Sequence, residues 1–279
     1  MKIKRTDPLL PGLTVDVRYK DVWKCGGGTQ SIAIGALICM GILPKPDIAV
    51  IANTGKEKKT TWNYADNVLG PELAKVGVTL HRPSAAEFGY YREAIYQPGG
   101  KQALLIPAFT KQPGADVGKM TNFCNAAWKR DVVDNWLRRT QGVKPESVRS
   151  WIGFSADEVT RVVRMMAGEE YKEGRIWLPL VERRMKRADS IRLVEEMGWP
   201  TPPRSACWCC PNQTDAEWLD LSPEEFALAC ALEKEMQAKD PNFWLHDSCV
   251  PLAQVDFKRP DAASVAMRCD AGDGAACFT

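Results

Sequence analysis

The stretch that decides the fold is DVWKCGGGTQSIAIGALICMGIL, residues 21–43. Its first four residues predict a short strand, and SIAIGALICMGIL predicts a helix that ends before Pro44. Between them lie three consecutive glycines, Gly26, Gly27 and Gly28. Glycine adopts positive φ without steric cost and lets another group approach the backbone closely. The stretch therefore predicts a strand, a glycine loop and a helix at the start of an α/β unit.

The following segments continue the alternation of strand and helix. DIAVIAN predicts a buried parallel strand, KEKKTTWNYADNVLG an amphipathic helix that ends near Gly70, and VGVTLHR a further strand. Later, AAWKRDVVDNWLRRT, SADEVTRVVRMM and RADSIRLVEEMG predict helices, SWIGF and IWLPLV predict strands, and Pro223 to about Lys239 predicts a long helix. The Gly-, Pro- and Lys-rich segment from Tyr90 to Phe123 predicts a long loop.

This order predicts an α/β fold with a mainly parallel sheet and helices on both faces, because βαβ units place their strands in parallel. We expect a nucleotide-binding domain over residues 1–180. Residues 181–279 are expected to form a helical, Cys-rich region packed on that domain. Ligands of such sheets bind at the carboxyl ends of the strands.

Composition narrows the class of protein. The 279 residues are 45% hydrophobic, which suits one large α/β domain. The net charge of +2 does not by itself indicate that the protein binds nucleic acid. No apolar run approaches the length of a membrane span, and the first residues lack the apolar core of a signal peptide, so we expect a cytoplasmic protein without a membrane segment. Ten cysteines in a reducing compartment favour metal or redox chemistry where they cluster, whereas Cys39 and Cys230 are expected in the core.

The glycine loop has the features of a phosphate-binding cradle. A helix begins directly behind it, and its free N–H groups and positive dipole end attract anions. Thr29, Gln30 and Ser31 add polar side chains. A plain glycine turn between strand and helix is the alternative. The loop lacks the GK[ST] of a Walker A motif and the GxGxxG of dinucleotide-binding proteins.

The loop resembles the PP-loop of N-type ATP pyrophosphatases, usually SGGxDS, and the chain is similar to the phosphoadenosine phosphosulfate (PAPS) reductase group of adenine nucleotide alpha hydrolases. Gly26 stands in place of the family's first Ser and Gln30 in place of its Asp. The residues that follow the second strand, Asn53, Thr54, Gly55, Lys56 and Glu57, resemble a DTGxE stretch that lies beside the adenosine in that family. The resemblance implies that these residues bind ATP or a sulfonucleotide, with Mg²⁺ as a cofactor.

Two further basic residues are candidate ligands of the nucleotide. Arg161 lies in a segment that resembles the family's later strand and helix start, and it is expected either at a phosphate or in an i,i+4 pair with Asp157. Ser155 and Glu158 have the spacing of a capping box, which favours helix capping for this segment. Sulfonucleotide reductases carry a basic residue near the position of Lys129, which is expected at a phosphate or a cluster, or else as a solvated helix lysine.

The segment SACWCCPNQ holds the tightest group of cysteines. Cys207 and Cys210 have the CxxC spacing that lets two thiolates meet one metal centre. A zinc site is one interpretation, although a second close pair is absent and the chain has only two histidines. A dithiol redox pair and an iron–sulfur cluster are the others.

Cys124, directly before a predicted helix, is the expected distant partner of this pair. In cluster-containing sulfonucleotide reductases and tRNA thiolases, cysteines before a similar helix join a later CxxC. The resemblance implies a [4Fe–4S] cluster on Cys124, Cys207 and Cys210, with catalytic roles for Cys124, Cys210 and Cys277. In relatives that lack a cluster, a cysteine near the C-terminus is the nucleophile, which is a second interpretation of Cys277. The fourth ligand stays open between Cys209, Cys269, Cys277 and no protein group.

These features lead to three functional hypotheses. The first is ATP-dependent sulfur transfer to a nucleobase, nucleoside, tRNA or DNA, with a sulfur donor such as a cysteine desulfurase. The second is a PAPS or APS reductase that releases sulfite and is reduced by thioredoxin. The third is a non-catalytic nucleotide-binding subunit of a DNA-modification or defence complex. Relatives are often dimers, so a homodimer is expected.

Overall fold

A computed structural model describes residues 19–91, 93–96 and 103–258 of the chain. Cys269 and Cys277, both candidate ligands, lie outside the described residues. None of the described helices is long and apolar enough to cross a lipid bilayer. The strands are β1 (Lys20–Cys25), β2 (Ile48–Ile51), β3 (Leu80–His81), β4 (Ile95–Tyr96), β5 (Ala103–Leu104), β6 (Phe109–Thr110), β7 (Gly118–Lys119), β8 (Val148–Trp151), β9 (Ile176–Trp177) and β10 (Phe243–Trp244).

Helices connect most of these strands and make up the C-terminal part of the described chain. Two π-helical turns, Ala65–Leu69 and Ala126–Arg130, precede α3 and α5, and 3₁₀ turns cover Pro145–Ser147 and Leu252–Gln254. The α-helices are α1 (Thr29–Cys39), α2 (Lys59–Tyr64), α3 (Gly70–Lys75), α4 (Ala85–Phe88), α5 (Asp131–Thr140), α6 (Val159–Ala167), α7 (Glu169–Lys172), α8 (Pro179–Glu182), α9 (Arg187–Glu196), α10 (Asp215–Leu219) and α11 (Pro223–Lys239).

The main sheet has five parallel strands in the order β3-β2-β1-β8-β9. β1 is the central strand, with Val22 opposite Ile48 of β2 and Trp23 opposite Trp151 of β8. The strand order reverses at β1, since the chain first builds outward through β2 and β3 and later returns to β8 on the other side. A crevice forms at such a reversal, outside the carboxyl ends of the strands. The glycine loop follows β1 at this position.

Both faces of the sheet are covered by helices, because alternate residues of a strand point to opposite sides. Val22 and Val50 pack in one core cluster with Val132 and Leu137 of α5 and with residues of α10 and α11. Trp23 packs in a second cluster with residues of α1, α3 and α9. The predicted α/β fold with a parallel sheet and helices on both faces is therefore confirmed.

The second helical segment is longer than its sequence predicts. It begins at Lys59 and continues past Gly70 to Lys75. Pro71 lacks the N–H that an α-helix needs, and the π-helical turn Ala65–Leu69 directly before α3 changes the hydrogen-bonding pattern at that point. Glycine and proline were therefore wrong signals for a helix end.

The segment from Tyr90 to Phe123, expected to be a long loop, contains short strands in its described part. β4 pairs with β5, and β6 pairs with both β7 and the distant β10. Each of these strands has only two residues, which is too short for a period-2 pattern to appear in the sequence.

The start of α6 also differs from expectation. The helix begins at Val159 with Glu158 as its N-cap, and Ser155 lies before it. The backbone N–H and the hydroxyl of Ser155 both donate to the Glu158 carboxylate, at 2.9 and 3.0 Å. The predicted capping box at Ser155 is wrong, because the carboxylate closes a turn ahead of the helix. Cys39 and Cys230, expected to be buried, are partly buried and pack against the two core clusters.

Candidate functional site

The glycine loop forms a tight turn at the carboxyl end of β1. Gly27 has a φ of +76°, and a β-carbon there would lie 2.8 Å from Cγ2 of Thr61 and 3.2 Å from Cδ1 of Ile51. The N–H of Gly26 donates to Oγ of Ser31 at 3.0 Å, which holds the loop against the first turn of α1. That turn has no acidic residue, and its N–H groups have no partner within the helix. The loop and the helix start therefore have the backbone arrangement that binds anions in other proteins, and phosphate binding here stays a prediction.

Gln30 connects the loop to the segment after β8 and to α9. Its amide nitrogen donates to the Glu158 carboxylate at 3.3 Å and to Oγ of Ser155 at 3.5 Å. Its amide oxygen accepts from Arg187 of α9 at 3.5 Å. An amide can donate and accept at the same time, whereas the carboxylate of the resembling motif would only accept. Gln30 thus joins α1 to the segment after β8 and to α9.

Arg161 is held next to this network. It forms an ion pair with Glu158, and its guanidinium lies over the ring of Phe154, 4.5 Å from the centroid. Asp157, its expected i,i+4 partner, accepts the backbone N–H of Arg187 at 3.2 Å. Glu158 therefore contacts both Gln30 and Arg161, which places a positive charge near the glycine loop.

The turn after β2 is built by its own side chains. Oδ1 of Asn53 accepts the N–H of Gly55 at 2.9 Å, and Oγ1 of Thr54 accepts the N–H of Lys56 at 3.0 Å. Such local hydrogen bonds fix a turn in the way a backbone carbonyl does. The Thr54 hydroxyl also lies 3.7 Å from Sγ of Cys207. The predicted adenosine-binding turn and the cysteine segment are therefore in contact.

Glu57 links three parts of the site. Its Oε1 lies 3.2 Å from Nζ of Lys129 and 4.0 Å from Sγ of Cys207, and its backbone forms an isolated β-bridge with Cys207. The Glu57 side chain is only 3% exposed, and its second oxygen, Oε2, is buried with no hydrogen-bond partner among the described residues. Leaving a buried acceptor unsatisfied costs about 1–3 kcal/mol, so this oxygen marks a place where a ligand is needed.

Ser205 holds the cysteine segment directly against the glycine loop. Its hydroxyl donates to the carbonyl of Gly26. A β-carbon on Gly28 would lie 3.5 Å from Cβ of Ser205. The segment that carries the thiols therefore lies within contact distance of the predicted phosphate cradle.

The thiols of this segment are close enough to influence one another. Burial raises the pKa of Cys207, and the carboxylate of Glu57 and the thiol of Cys209 add to this effect. Burial also raises the pKa of Cys209, assisted by Cys210 and by Cys124. Sγ of Cys124 donates to Oδ1 of Asn122 at 2.9 Å. Cys124 and Trp208 both pack against the core cluster that contains Val22 and Val50.

A single-ion metal site is not preformed in the part of the chain that the structure describes. No group of three or more His, Cys, Asp or Glu side chains there lies together in an arrangement that could hold a metal ion. The proposed cluster ligands Cys124, Cys207 and Cys210 stay a prediction. Cys277 lies in the part beyond residue 258, which the structure does not describe.

Lys58 is a buried lysine that the sequence did not single out. It is 8% exposed, and its burial lowers its pKa, an effect that Glu217 and Cys210 partly oppose. Its backbone N–H donates to the carbonyl of Ala206 at 3.3 Å. A positive charge therefore lies behind the cysteine turn, on the side of Cys210.

A small pocket, partly open to solvent, lies at the carboxyl ends of β1 and β2. Val50, Ala52 and Val133 form apolar walls, and Gly26 connects the pocket with the glycine loop. The remaining lining residues are Lys24, Cys25, Ile51, Glu57, Lys129 and Arg130. The pocket therefore combines apolar walls with charged side chains next to the glycine loop.

Sequence reasoning included Glu57 in the stretch beside the adenosine but gave it no role, and it missed Lys58 and Ser205. Glu57 and Lys58 belong to KEKK, a charged run typical of an exposed helix start, and Ser205 lies in a Pro-rich turn. The only signal for Glu57 was its position at the end of the NTGKE stretch, whose first three residues were predicted to bind the nucleotide.

Comparisons with known proteins find similar folds among solved structures only. No protein-family model matches the sequence, and no curated protein matches it. Among solved structures, the chain is similar to the U34-tRNA thiolase NcsA from Methanococcus maripaludis with its [4Fe-4S] cluster. The TM-score is 0.43 and the identity 12%, over 81% of this chain and 68% of that one. At these values the similarity carries no argument about activity.

Proposed function

We propose that this chain binds ATP at Gly26–Ser31 and uses it to transfer sulfur to an acceptor molecule. The observation that carries the proposal is the contact of the cysteine segment with the glycine loop through Ser205, and with the turn after β2 through Glu57. These contacts support one site in which the glycine loop would hold phosphates and the thiols would act beside them. Nucleotide activation followed by sulfur chemistry needs both in one place.

The glycine loop would hold the phosphates by backbone N–H groups and the dipole of α1. Thr29 and Ser31 would add hydroxyls, and Mg²⁺ would share the phosphate charge with the protein. Oγ1 of Thr61, next to Gly27, is buried with no hydrogen-bond partner among the described residues. A ligand bound at the loop would give this hydroxyl a partner.

The reaction has two displacement steps. In the first, an acceptor oxygen attacks the α-phosphorus of ATP, an O–P bond forms, and the α–β phosphoanhydride bond breaks with pyrophosphate leaving. In the second, a sulfur nucleophile attacks the activated carbon, a C–S bond forms, and the C–O bond breaks with AMP leaving. The chain's residues position the reactants and neutralise charge, which is how most of such catalysis is achieved.

The thiols suit an iron–sulfur cluster in their donor set, since clusters are held by cysteine thiolates. Cys124, Cys207 and Cys210 would hold a [4Fe–4S] cluster, with Cys207 and Cys210 in one turn closed by the hydrogen bond from the N–H of Cys210 to the carbonyl of Cys207 at 3.1 Å. When bound, the cluster would supply an iron site for sulfide. Lys129 and Lys58 would balance the negative charge of the thiolates and of the nucleotide, with Lys129 held in place by Glu57.

The sulfur would come from a separate donor, such as a cysteine desulfurase that carries a persulfide. Two thiols of a reductant would release its outer sulfur as sulfide and would be oxidised to a disulfide in the process. The acceptor would be a nucleobase, free or within a nucleoside, tRNA or DNA. Its oxygen would have to reach the pocket mouth beside Gly26, where the α-phosphate of the bound ATP is expected.

The proposal is tested with anaerobically purified protein and two nucleotides. ATP is supplied with and without total tRNA, genomic DNA or free nucleosides, and AMP and pyrophosphate are quantified. PAPS is supplied in parallel with thioredoxin, and sulfite is quantified. We expect AMP and pyrophosphate in equal amounts and no sulfite; sulfite release from PAPS without ATP cleavage would contradict the proposal.

The cluster is tested separately on the same preparations by visible absorption and EPR spectra. We expect brown protein, and loss of the absorption in Cys207→Ala and Cys124→Ala but not in Cys230→Ala, a partly buried cysteine of α11. Stoichiometric zinc in place of iron would refute the cluster while leaving the nucleotide chemistry to be judged by its own assay.

A further inference from the structure

Four cationic side chains lie close together where the chain passes from α8 to the start of α9. This basic turn consists of Arg183, Arg184, Lys186 and Arg187; the first three are exposed and Arg187 is half-buried. Within the part of the chain that the structure describes, none of the four forms an ion pair with a carboxylate. The turn therefore presents a concentrated positive charge to the solvent, although the net charge of the whole chain is only +2.

The carboxylates that lie nearest in the sequence are engaged with other groups. Glu182 accepts the indole N–H of Trp177 at 2.5 Å, and Asp189 pairs with Arg192 at 2.7 Å. Asp157 accepts a backbone N–H, that of the first residue of α9, at 3.2 Å. Uncompensated charges of one sign repel one another, and an anionic partner from outside would relieve that repulsion.

Arg184 occupies a backbone position that favours glycine. Its φ is +57°, and the N–H groups of Arg184 and Met185 bond back to the carbonyls of Val181 and Leu180, both at 2.9 Å. This is the motif in which a left-handed residue, usually glycine, ends a helix. The left-handed conformation costs any other residue about 1–2 kcal/mol. No contact of the Arg184 side chain with another described residue offsets this cost.

The basic turn extends along α1 and ends at the glycine loop. Nη1 of Arg187 lies 3.5 Å from Oε1 of Gln30, in the first turn of α1, whereas Nη2 of Arg183 donates to the carbonyl of Ile42, just beyond the last turn. α1 has 11 residues, so a rise of about 1.5 Å per residue places the two guanidinium groups about 16 Å apart. The linked phosphates of one nucleotide do not span this distance. Along one strand of a nucleic-acid helix a phosphate recurs about every 3.4 Å, so several phosphates fit the row.

We infer that the basic turn binds the phosphodiester backbone of a nucleic-acid strand and directs one base of that strand toward the glycine loop. The inference rests on the proposed function, since it takes a nucleobase as the sulfur acceptor, and it deepens it by placing that base within a strand. Contacts to phosphates supply affinity and register but do not read the sequence. The turn is therefore a docking surface, and the choice of base belongs to the site itself.

The test is fluorescence anisotropy with the full chain and labelled single strands of RNA and of DNA that have the same sequence. Each neutralised phosphate of a single strand adds about 0.7 to the slope of log affinity against log salt concentration, so wild-type protein is expected to show a slope of about 2 to 3 in magnitude. Tighter binding of one strand identifies the kind of nucleic acid, and either preference supports the inference. Failure to bind both strands would overturn it, as would equally tight binding of poly-glutamate, which would indicate an acidic protein as the partner.

Arg184→Gly separates binding from stability. Glycine relieves the left-handed strain, so the free energy of unfolding is expected to rise by about 1 kcal/mol or to stay the same, measured by urea denaturation. Strand affinity is nevertheless expected to fall roughly 3- to 5-fold, and the salt slope by about 0.7, because one phosphate contact is lost. An affinity unchanged by Arg184→Gly would contradict the inference, since a purely structural arginine has no reason to affect binding.

A triple variant and a matched control locate the surface. Arg184→Gly combined with Arg183→Gln and Lys186→Gln is expected to weaken strand binding by about 10-fold or more. Lys75→Gln is the control, because Lys75 is also an exposed cation but pairs with Glu72 on α3. It is expected to keep the wild-type affinity and slope. An equal loss in the control and in the triple variant would mean that the basic turn is not the docking surface.

The outcomes separate this inference from the proposed function. Strand binding that depends on the basic turn, in protein that never forms AMP and pyrophosphate, supports the docking surface and refutes the proposed function. AMP and pyrophosphate formed with free nucleosides, in protein that binds no strand, refute the docking surface and leave the proposed function intact. Protein that neither binds a strand nor cleaves ATP refutes both.

Discussion

Gly27 is the position of the loop at which a substitution is least tolerated. Its φ of +76° is costly for any other residue, and its missing β-carbon leaves room for Thr61 and Ile51. We predict that Gly27→Ala destabilises the protein by about 1–3 kcal/mol and abolishes measurable ATP binding, because the loop must shift. Thermal unfolding and calorimetric ATP titration give the two values.

Gly41→Ala is the matched control for this prediction. Gly41 has a similar φ of +69°, but nothing lies within 4 Å of the place of its β-carbon, and it follows α1 at the end remote from the loop. The Gly41→Ala variant should lose stability from backbone strain alone and keep its affinity for ATP. Equal ATP affinity in both alanine variants would show that the loop is not the phosphate site.

The buried pair of Glu57 and Lys129 leads to a second prediction. The two side chains are 3% and 14% exposed, so removing Lys129 leaves the buried carboxylate of Glu57 without its cation. That carboxylate must then take up a proton or be hydrated by water drawn into the site. Lys129→Met is expected to lower the free energy of unfolding by about 3 kcal/mol, measured by urea denaturation. The double variant with Glu57→Gln should recover part of that loss. Additive losses in the double variant would contradict a direct pairing.

Single residues also show the limits of prediction from sequence. The loop from Gly26 to Ser31 was predictable because its features are neighbours in the sequence, a run of glycines directly ahead of a helix. Glu57 and Ser205 were not, because their roles arise from contacts between positions about 150 residues apart or more. A charged run such as KEKK gives no sign that its glutamate is buried.

At the scale of elements, the long helix α11 was predicted with both of its ends. Ser222 caps it, accepting the N–H of Glu225 at 3.2 Å, while the Glu225 carboxylate accepts the N–H of Ser222 at 3.0 Å. Pro223 occupies the first turn, where its missing N–H has no cost. Local signals of this kind lie within four residues of one another, so the sequence alone contained them.

The helix cap gives an element-scale prediction. Ser222→Ala removes the hydroxyl acceptor and should cost about 1 kcal/mol, whereas Ser222→Thr keeps the hydroxyl and should cost much less. Urea denaturation of the two variants measures the difference. An equal loss in both would mean that the capping hydrogen bond does not contribute.

The elements that were not predicted have two different physical causes. α3 continues through Gly70 and Pro71 because the π-helical turn before it changes the backbone pattern. The strand pairs of the segment from Tyr90 to Phe123 are too short to show a period in the sequence.

At the scale of the whole molecule, the fold keeps several thiols buried and neutral. Burial raises the pKa of Cys25 to about 12, against smaller opposite effects from the N–H of Gly27 and from Lys129. Above about pH 9 the unfolded chain loses the thiol proton while the folded chain keeps it. The unfolded state then binds fewer protons, so stability present below pH 9 is lost as the pH rises toward 12.

This linkage predicts that the free energy of unfolding of reduced, metal-free protein falls between about pH 9 and pH 10.5. Cys25 contributes at most about 1.4 kcal/mol per pH unit to that fall. Cys25→Ala should show a shallower slope, and its lost packing does not affect the slope because that loss is independent of pH. Identical slopes in the two proteins, measured by urea denaturation, would contradict the burial of a neutral thiol.

A structure of the protein crystallised with a non-hydrolysable ATP analogue and Mg²⁺ tests the central claim most directly. We expect phosphate density against the N–H groups of Gly27 and Gly28, next to Ser205. The base is expected between Val50 and Val133, and the turn from Cys207 to Cys210 is expected to face the α-phosphate. Density for the analogue elsewhere, or an empty loop at saturating analogue, would contradict it.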